Sequence, residues 1–194
     1  MAVAGRALLI GAVRLRALVL AALAVAGVVV ALTLMRHTPA TLPQAVARVQ
    51  GGPLAPQLHA LVAFRAVPGG VEVSVEAEGL PPYLAGDPPI GPHGFHLHEV
   101  GDCTVGDPAE PFLAAGGHYN PDGQRHGNHA GDFPVLFSNA GVARMRFFTD
   151  RLRIDDVVGR AVIIHENPDD YRTDPAGNSG RRLGCGVVTR AGPQ

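Results

Sequence analysis

The 194-residue sequence predicts an all-β fold, an antiparallel sandwich or barrel, behind one apolar N-terminal helix. Three observations lead there. The chain holds 25 glycines and 17 prolines with only 17% charged residues, a balance that favours short strands joined by turns over long helices. Segments of alternating or β-branched character recur at roughly regular spacing between turn residues. The one long uncharged run, Ala17 to Met35, lies near the start of the chain and outside the strand pattern.

Arg6, Arg14 and Arg16 precede that run and Arg36 closes it. As a helix its 19 residues extend about 28 Å, close to the hydrocarbon thickness of a bilayer. The run is apolar on every face, as a membrane-crossing helix is and an amphipathic core helix is not. The basic residues on its N-terminal side place the remainder of the chain outside the cytoplasm. Two versions stay open. Ala24-Val25-Ala26 fits the small-residue pattern of a cleaved signal sequence, whereas the further apolar stretch Val28 to Met35 favours an uncleaved anchor over residues 17–35. No cysteine follows the run to take a lipid. Residues 1–36 therefore read as a basic segment with an anchor or signal, 37–41 as a linker, and 42–194 as the folded domain. A body of that size is large enough for a self-sufficient core.

Within the domain, Val46 to Gln50 is a weak first strand. Leu58 to Val67 is apolar and β-branched and ends at the turn Pro68-Gly69-Gly70. Val71 to Glu76 alternates apolar and polar residues, the period of a half-buried strand. Gly94 to Val100, Val135 to Ser138, Val142 to Phe148, Val157 to His165 and Gly186 to Thr189 follow, with Asn139-Ala140-Gly141 marking a hairpin. Two segments carry no strand pattern, Asp102 to Asp132 and Glu166 to Arg182. Loops of that length inside a compact domain are usually functional.

The net charge of −1 without a basic cluster excludes a nucleic-acid partner. Two cysteines are too few for a disulfide scaffold but allow one bridge in an oxidising compartment. The histidines are more informative. His96 and His98 stand two apart on a strand and so present two imidazoles on one face. His118, His126, His129 and Asp132 lie in the first long loop, and three imidazoles with one carboxylate are the donor number and type for tetrahedral zinc. His165 closes an apolar strand, a common place for a core histidine. Here Asp169 and Asp170 follow, and Asp169 is a candidate acceptor for the second nitrogen that a ligating imidazole must have held. Arg182 stands three residues before Cys185, either one of a surface arginine pair or a cation at the mouth of an anion-accepting site.

Five motifs then coincide. Gly94-Phe95-His96-Leu97-His98-Glu99, Gly116-Gly117-His118-Tyr119-Asn120-Pro121, His129-Ala130-Gly131-Asp132, Ile163-Ile164-His165-Glu166-Asn167-Pro168-Asp169-Asp170 and Gly177-Asn178-Ser179-Gly180-Arg181-Arg182-Leu183-Gly184-Cys185-Gly186 occur in the order of the copper/zinc superoxide dismutase family, which the chain resembles in its bacterial type. The resemblance implies an eight-stranded antiparallel Greek-key β-sandwich or barrel with two long functional loops. It implies one copper on His96, His98, His118 and His165, and one zinc on His118, His126, His129 and Asp132, with His118 bridging the two. Asp169 would link the two ligand sets, Cys103 and Cys185 would form a disulfide, and Arg182 would guide the anion. The implied activity is dismutation of superoxide to O₂ and H₂O₂ by alternating Cu(II) and Cu(I) steps, in which His118 and Arg182 take part.

Some positions depart from the family's pattern. Only two residues separate His126 from His129, which makes the zinc subloop tight. Ala176 stands where a threonine is expected in the substrate channel. The loop from Glu166 to Arg181 is short, so guidance of the anion is expected to rely on Arg181 and Arg182. The competing reading is a non-enzymatic copper carrier on the same fold. A carrier is expected to lack a copper ligand or the arginine, or to offer Cys and Met ligands, and this chain has 3 Met and both residue sets complete. A zinc hydrolase needs an open zinc position, which four protein ligands close. A monomer and a homodimer are both compatible with the sequence, and His37, His59 and His93 have no assigned role.

Overall fold

The computed structural model describes residues 42–192. The apolar run 17–35, the linker 37–41 and His37 lie outside the described residues. Among the described residues no helix is long and apolar enough to cross a membrane.

Seven strands form one antiparallel, curled sheet: β1 (Ala45–Gly51), β2 (His59–Val67), β3 (Gly70–Glu78), β4 (Phe95–His98), β5 (Ala143–Thr149), β6 (Ala161–His165) and β7 (Arg182–Arg190). Their hydrogen-bonded order is β4-β6-β7-β1-β2-β3-β5. Strand β3 shows why the sequence folds this way. Val71, Val73, Val75 and Ala77 are buried, while Glu72 and Glu76 face outward, so one register of pairing puts the whole apolar set inside. That register joins Val73 to Phe64 on β2 and to Phe147 on β5. Phe64, Phe95, Phe133, Leu58, Leu97, Leu136 and Ile164 fill the interior, each stabilising the fold by roughly 1.5–3 kcal/mol through removal from water.

Strands β4 and β6 are buried on both faces. Phe95, Leu97, Val162 and Ile164 look into the main core. The opposite face of β6 lies under the first long loop, where Ala161, Ile163 and Cys185 pack with Phe112 and Ala115 in a second, smaller core. Alternation along β4 then fixes His96 and His98 on that loop-covered face. Pairing of His96 with Ile163 and His98 with Ala161 puts His165, two residues beyond Ile163, on the same face.

Three expectations are altered. Val135 to Ser138 does not form a strand. Only Leu136 pairs, exchanging two backbone hydrogen bonds with His93 (2.8 and 3.0 Å), while the Val135 N–H donates to the Tyr171 hydroxyl (2.7 Å). The segment drawn from Val157 begins as a strand only at Ala161. Before it the Asp156 carboxylate accepts the Arg153 N–H (2.8 Å) and starts a helical turn, α1 (Ile154–Val157), which Gly159 ends at φ 81°. Strand β7 starts at Arg182 rather than Gly186, and a register shift between Ile164 and His165 sets His165 opposite Arg182.

Candidate metal centre

Ten residues singled out in the sequence converge on one side of the sheet, from three strands and two loops: His96 and His98 from β4, His118, His126, His129 and Asp132 from the first long loop, His165 from the end of β6, Asp169 from the second loop, and Arg182 and Cys185 from β7. Two sets of four potential ligands result. One is His96, His98, His118 and His165, the other His118, His126, His129 and Asp132, and within each set the ligand atoms lie within 4.8 Å of one another. His118 belongs to both. Its Nδ1 is 2.9 Å from Asp132 Oδ1, and its Nε2 is buried without a hydrogen-bond partner.

Five of the six imidazoles have their outward nitrogen fixed by an acceptor. His96 Nε2–H donates to Asp169 Oδ2 and His126 Nε2–H to Asp169 Oδ1, both at 2.7 Å. His98 Nδ1–H donates to the Gly116 carbonyl (2.9 Å), His165 Nδ1–H to the Gly180 carbonyl (3.2 Å) and His129 Nε2–H to the Gln124 carbonyl (3.1 Å). In a neutral imidazole the other nitrogen then carries a lone pair, and all five lone pairs point inward. Burial pushes His96, His98 and His118 below the usual imidazole range, and pushes His165 from 6.5 to about 3, so all four stay neutral near pH 7. For Asp132, burial alone would raise the carboxyl, but the His118 hydrogen bond and the neighbouring histidines outweigh it and hold the group below its ordinary value.

Such an arrangement fits cations. His98 Nε2 and His165 Nε2 lie 3.3 Å apart with lone pairs facing each other, a contact that needs a positive centre between them. His96 Nδ1, His126 Nδ1 and His129 Nδ1 are buried with no hydrogen-bond partner. The last two stand 3.5 and 3.4 Å from the Asp132 carboxylate, too long for good hydrogen bonds. Gly177 makes room for the link between the sets. At φ +63° it lies where L side chains rarely go, and a Cβ there would strike both Asp169 Oδ1 and His126 Nε2.

The family model described as "Copper/zinc superoxide dismutase (SODC)" matches residues 59–188, which contain β2 to β6, all but the last two residues of β7, and both ligand sets. The chain belongs to the copper/zinc superoxide dismutase family. A superoxide dismutase [Cu-Zn] of Deinococcus radiodurans is 41% identical over 141 residues, 64% of this chain and 73% of the relative. Superoxide dismutase [Cu-Zn] 2 of Aquifex aeolicus is 37% identical over 134 residues, 61% of this chain and 72% of the relative. The solved copper/zinc superoxide dismutase of Brucella abortus superposes with a TM-score of 0.61 at 30% identity, covering 74% of this chain and 99% of that one. Copper and zinc are the family's metals, and the two sets supply nitrogen and carboxylate donors suited to them.

In this member of the family the expected disulfide is formed. Cys103 and Cys185 are joined with their Cα atoms 5.6 Å apart. A cavity of about 640 Å³ opens onto His98, His118 and His165, with Ala176 and Arg182 in its wall. Arg182 is half-buried and donates to the Phe112 and Gly116 carbonyls (2.5 and 2.6 Å). Arg181 departs from expectation, since both arms of its guanidinium fork bind Glu166.

Two of the three histidines without a role are placed. His59 is exposed beside Glu78 (3.4 Å), and His93 is fully buried with Nδ1 2.9 Å from the His165 carbonyl, bracing the strand end that carries a ligand. Sequence reasoning also missed Arg160, whose guanidinium lies 3.5 Å above the Tyr119 ring and donates to the Glu99 carbonyl (2.8 Å). It ties the segment bearing His118 to the start of β6, and nothing in its sequence context marks it.

Proposed function

We propose that the chain is an extracytoplasmic copper/zinc superoxide dismutase in which His96, His98, His118 and His165 hold copper and His118, His126, His129 and Asp132 hold zinc. One observation carries the assignment: the two nitrogens of His118 face different ligand sets. Copper supplies the reversible one-electron couple that dismutation of superoxide to O₂ and H₂O₂ requires, and zinc, which has one oxidation state, supplies a fixed positive charge. The chain's own residues do the rest. Asp169 orients His96 and His126 together through its two oxygens. His118, which lines the cavity, is the group placed to take up and release a proton on Nε2, its buried nitrogen without a hydrogen-bond partner. Arg182 keeps a full positive charge, because its partners are neutral carbonyls, and so attracts and orients the substrate anion.

The disulfide supports an oxidising compartment, in agreement with the basic flank of the apolar run. On this reading residues 1–36 form an anchor or signal, 37–41 a linker and 42–194 the enzyme domain, with the membrane as a partner if the helix is retained. The crossover from β3 to β4 at the far edge, and back to β5, supports a Greek-key path.

The deciding experiment loads the purified chain with copper and zinc and measures superoxide decay alongside metal content. The expected result is rapid turnover at one copper and one zinc per chain. Full loading without turnover would leave the carrier reading instead.

A further inference from the structure

We propose that Glu166 masks Arg181 at the mouth of the cavity, leaving Arg182 as the single cation there with an uncancelled charge and biasing the site toward small monoanions over dianions. The inference rests on the superoxide reading and adds a specificity-determining pair to it.

Arg181 lines the cavity and its side chain is 43% exposed, so by position alone it should draw anions as Arg182 does. Its Nε and one terminal nitrogen instead donate to the two Glu166 oxygens at 2.9 and 2.7 Å, the planar fork-to-fork pairing that satisfies a guanidinium toward a carboxylate. Glu166 is only 16% exposed, which weakens solvent screening of the pair. A backbone hydrogen bond from Glu166 N–H to the Arg181 carbonyl (2.9 Å) fixes the two residues' spacing. Glu166 directly follows His165 and Arg181 directly precedes Arg182, so the masked pair sits next to the site yet outside it.

The rest of the mouth makes the masking consequential. Glu99, Glu110 and Asp174 also line the cavity. Glu99 accepts the Gly117 N–H (3.1 Å) and Asp174 the His126 N–H (2.8 Å), bonds that hold these carboxylates in place without cancelling their charge. Among the described residues Arg182 forms no ion pair. An anion entering the cavity therefore meets one available guanidinium among fixed negative charges. A monoanion needs no more, whereas a dianion such as phosphate is held well only where two cations converge on it.

The test compares the native chain, Glu166→Gln and the double variant Glu166→Gln/Arg181→Gln, all loaded with copper and zinc. Freeing Arg181 in Glu166→Gln is expected to raise kcat/KM at low salt by about threefold, with a steeper loss on adding salt. Phosphate inhibition is expected to tighten by roughly tenfold, and the double variant to return both readouts to the native pattern. Equal loss of rate in both variants with an unchanged salt slope means the pair is only a brace and overturns the inference. A second readout needs no turnover. In the metal-free, ¹⁵N-labelled protein, added phosphate should shift the Arg181 Nε–H resonance in Glu166→Gln and leave it in place in the native chain. A shift in the native chain, or none in the variant, overturns the masking even if the chain proves not to be a dismutase. Absence of turnover in the loaded native chain counts against the superoxide reading alone.

Discussion

Asp169 makes two hydrogen bonds that no other group in the site could replace together. One oxygen fixes His96 and the other fixes His126, both at 2.7 Å, inside a fully buried contact. Asp169→Asn keeps the shape, but its NH₂ arm must face an imidazole nitrogen as a second donor, which turns that ring or leaves a proton on the inward nitrogen. Metal affinity is expected to fall 10- to 100-fold, a range typical of groups that orient a ligating histidine. Competition with a chelator checks it, and native affinity in the variant would refute the linking role. The same imidazoles set a pH dependence in the metal-free protein. In the unfolded chain they titrate near 6.5, while burial holds His165 at about 3 when folded. Between those values the unfolded state binds protons that the folded state refuses, so stability is complete above pH 6.5 and declines as pH falls toward 3. His165 alone accounts for a loss on the order of 5 kcal/mol by pH 3. Unfolding temperatures of chelated protein between pH 7 and 4 should fall steadily, and a flat profile contradicts the burial of neutral imidazoles. Residue types at this scale were legible in advance: every ligand candidate but His126, and Asp169 with them, stood in the motifs, and His126 was found from its place in the first long loop beside His129. The acceptors at Gly116, Gly180 and Gln124 were not, because any residue supplies a backbone carbonyl and only the folded path decides which one arrives.

At the scale of elements, legibility follows exposure. Strand β3 has one wet and one dry face, so its alternation was plain. β4 and β6 are dry on both faces and were recognised from apolar runs interrupted by histidines. Val135 to Ser138 failed as a strand because the Val135 N–H goes to Tyr171, 36 residues away, and no local pattern records such a partner. Helix α1 was missed for a related reason, since its start depends on one carboxylate accepting one N–H. The disulfide joins two elements that the sheet alone does not tie, the first long loop and β7 beside Arg182. Its closing span of 82 residues contributes about 4 kcal/mol by the chain-entropy argument. The double variant Cys103→Ser/Cys185→Ser should unfold at a correspondingly lower denaturant concentration. It should also lose rate through the Phe112 and Gly116 carbonyls that hold Arg182. Unchanged stability would mean that the small core around Phe112 suffices without the bridge.

For the whole molecule, the architecture divides labour between a sheet with an ordinary apolar core and two loops that carry the chemistry. The sheet contributes three candidate ligand histidines at fixed register, and the loops contribute the other candidates by wrapping over one face. Overall class was readable because strand spacing and turn chemistry agree along the chain. The exact path was not, because pairing of β1 with β7 joins residues more than a hundred positions apart and single-chain periodicity says nothing about such partners.

The bridge between Cys103 and Cys185 encircles most of the chemistry in sequence. His118, His126, His129, Asp132, His165, Asp169 and Arg182 all fall between its ends. Protease cleavage within that span, for example after the exposed Arg125 or Arg172, therefore nicks the molecule without severing it. The two fragments stay covalently attached, one carrying Cys103 and the other Cys185. The fold thereby gains a tolerance for backbone damage that its apolar core alone would not provide.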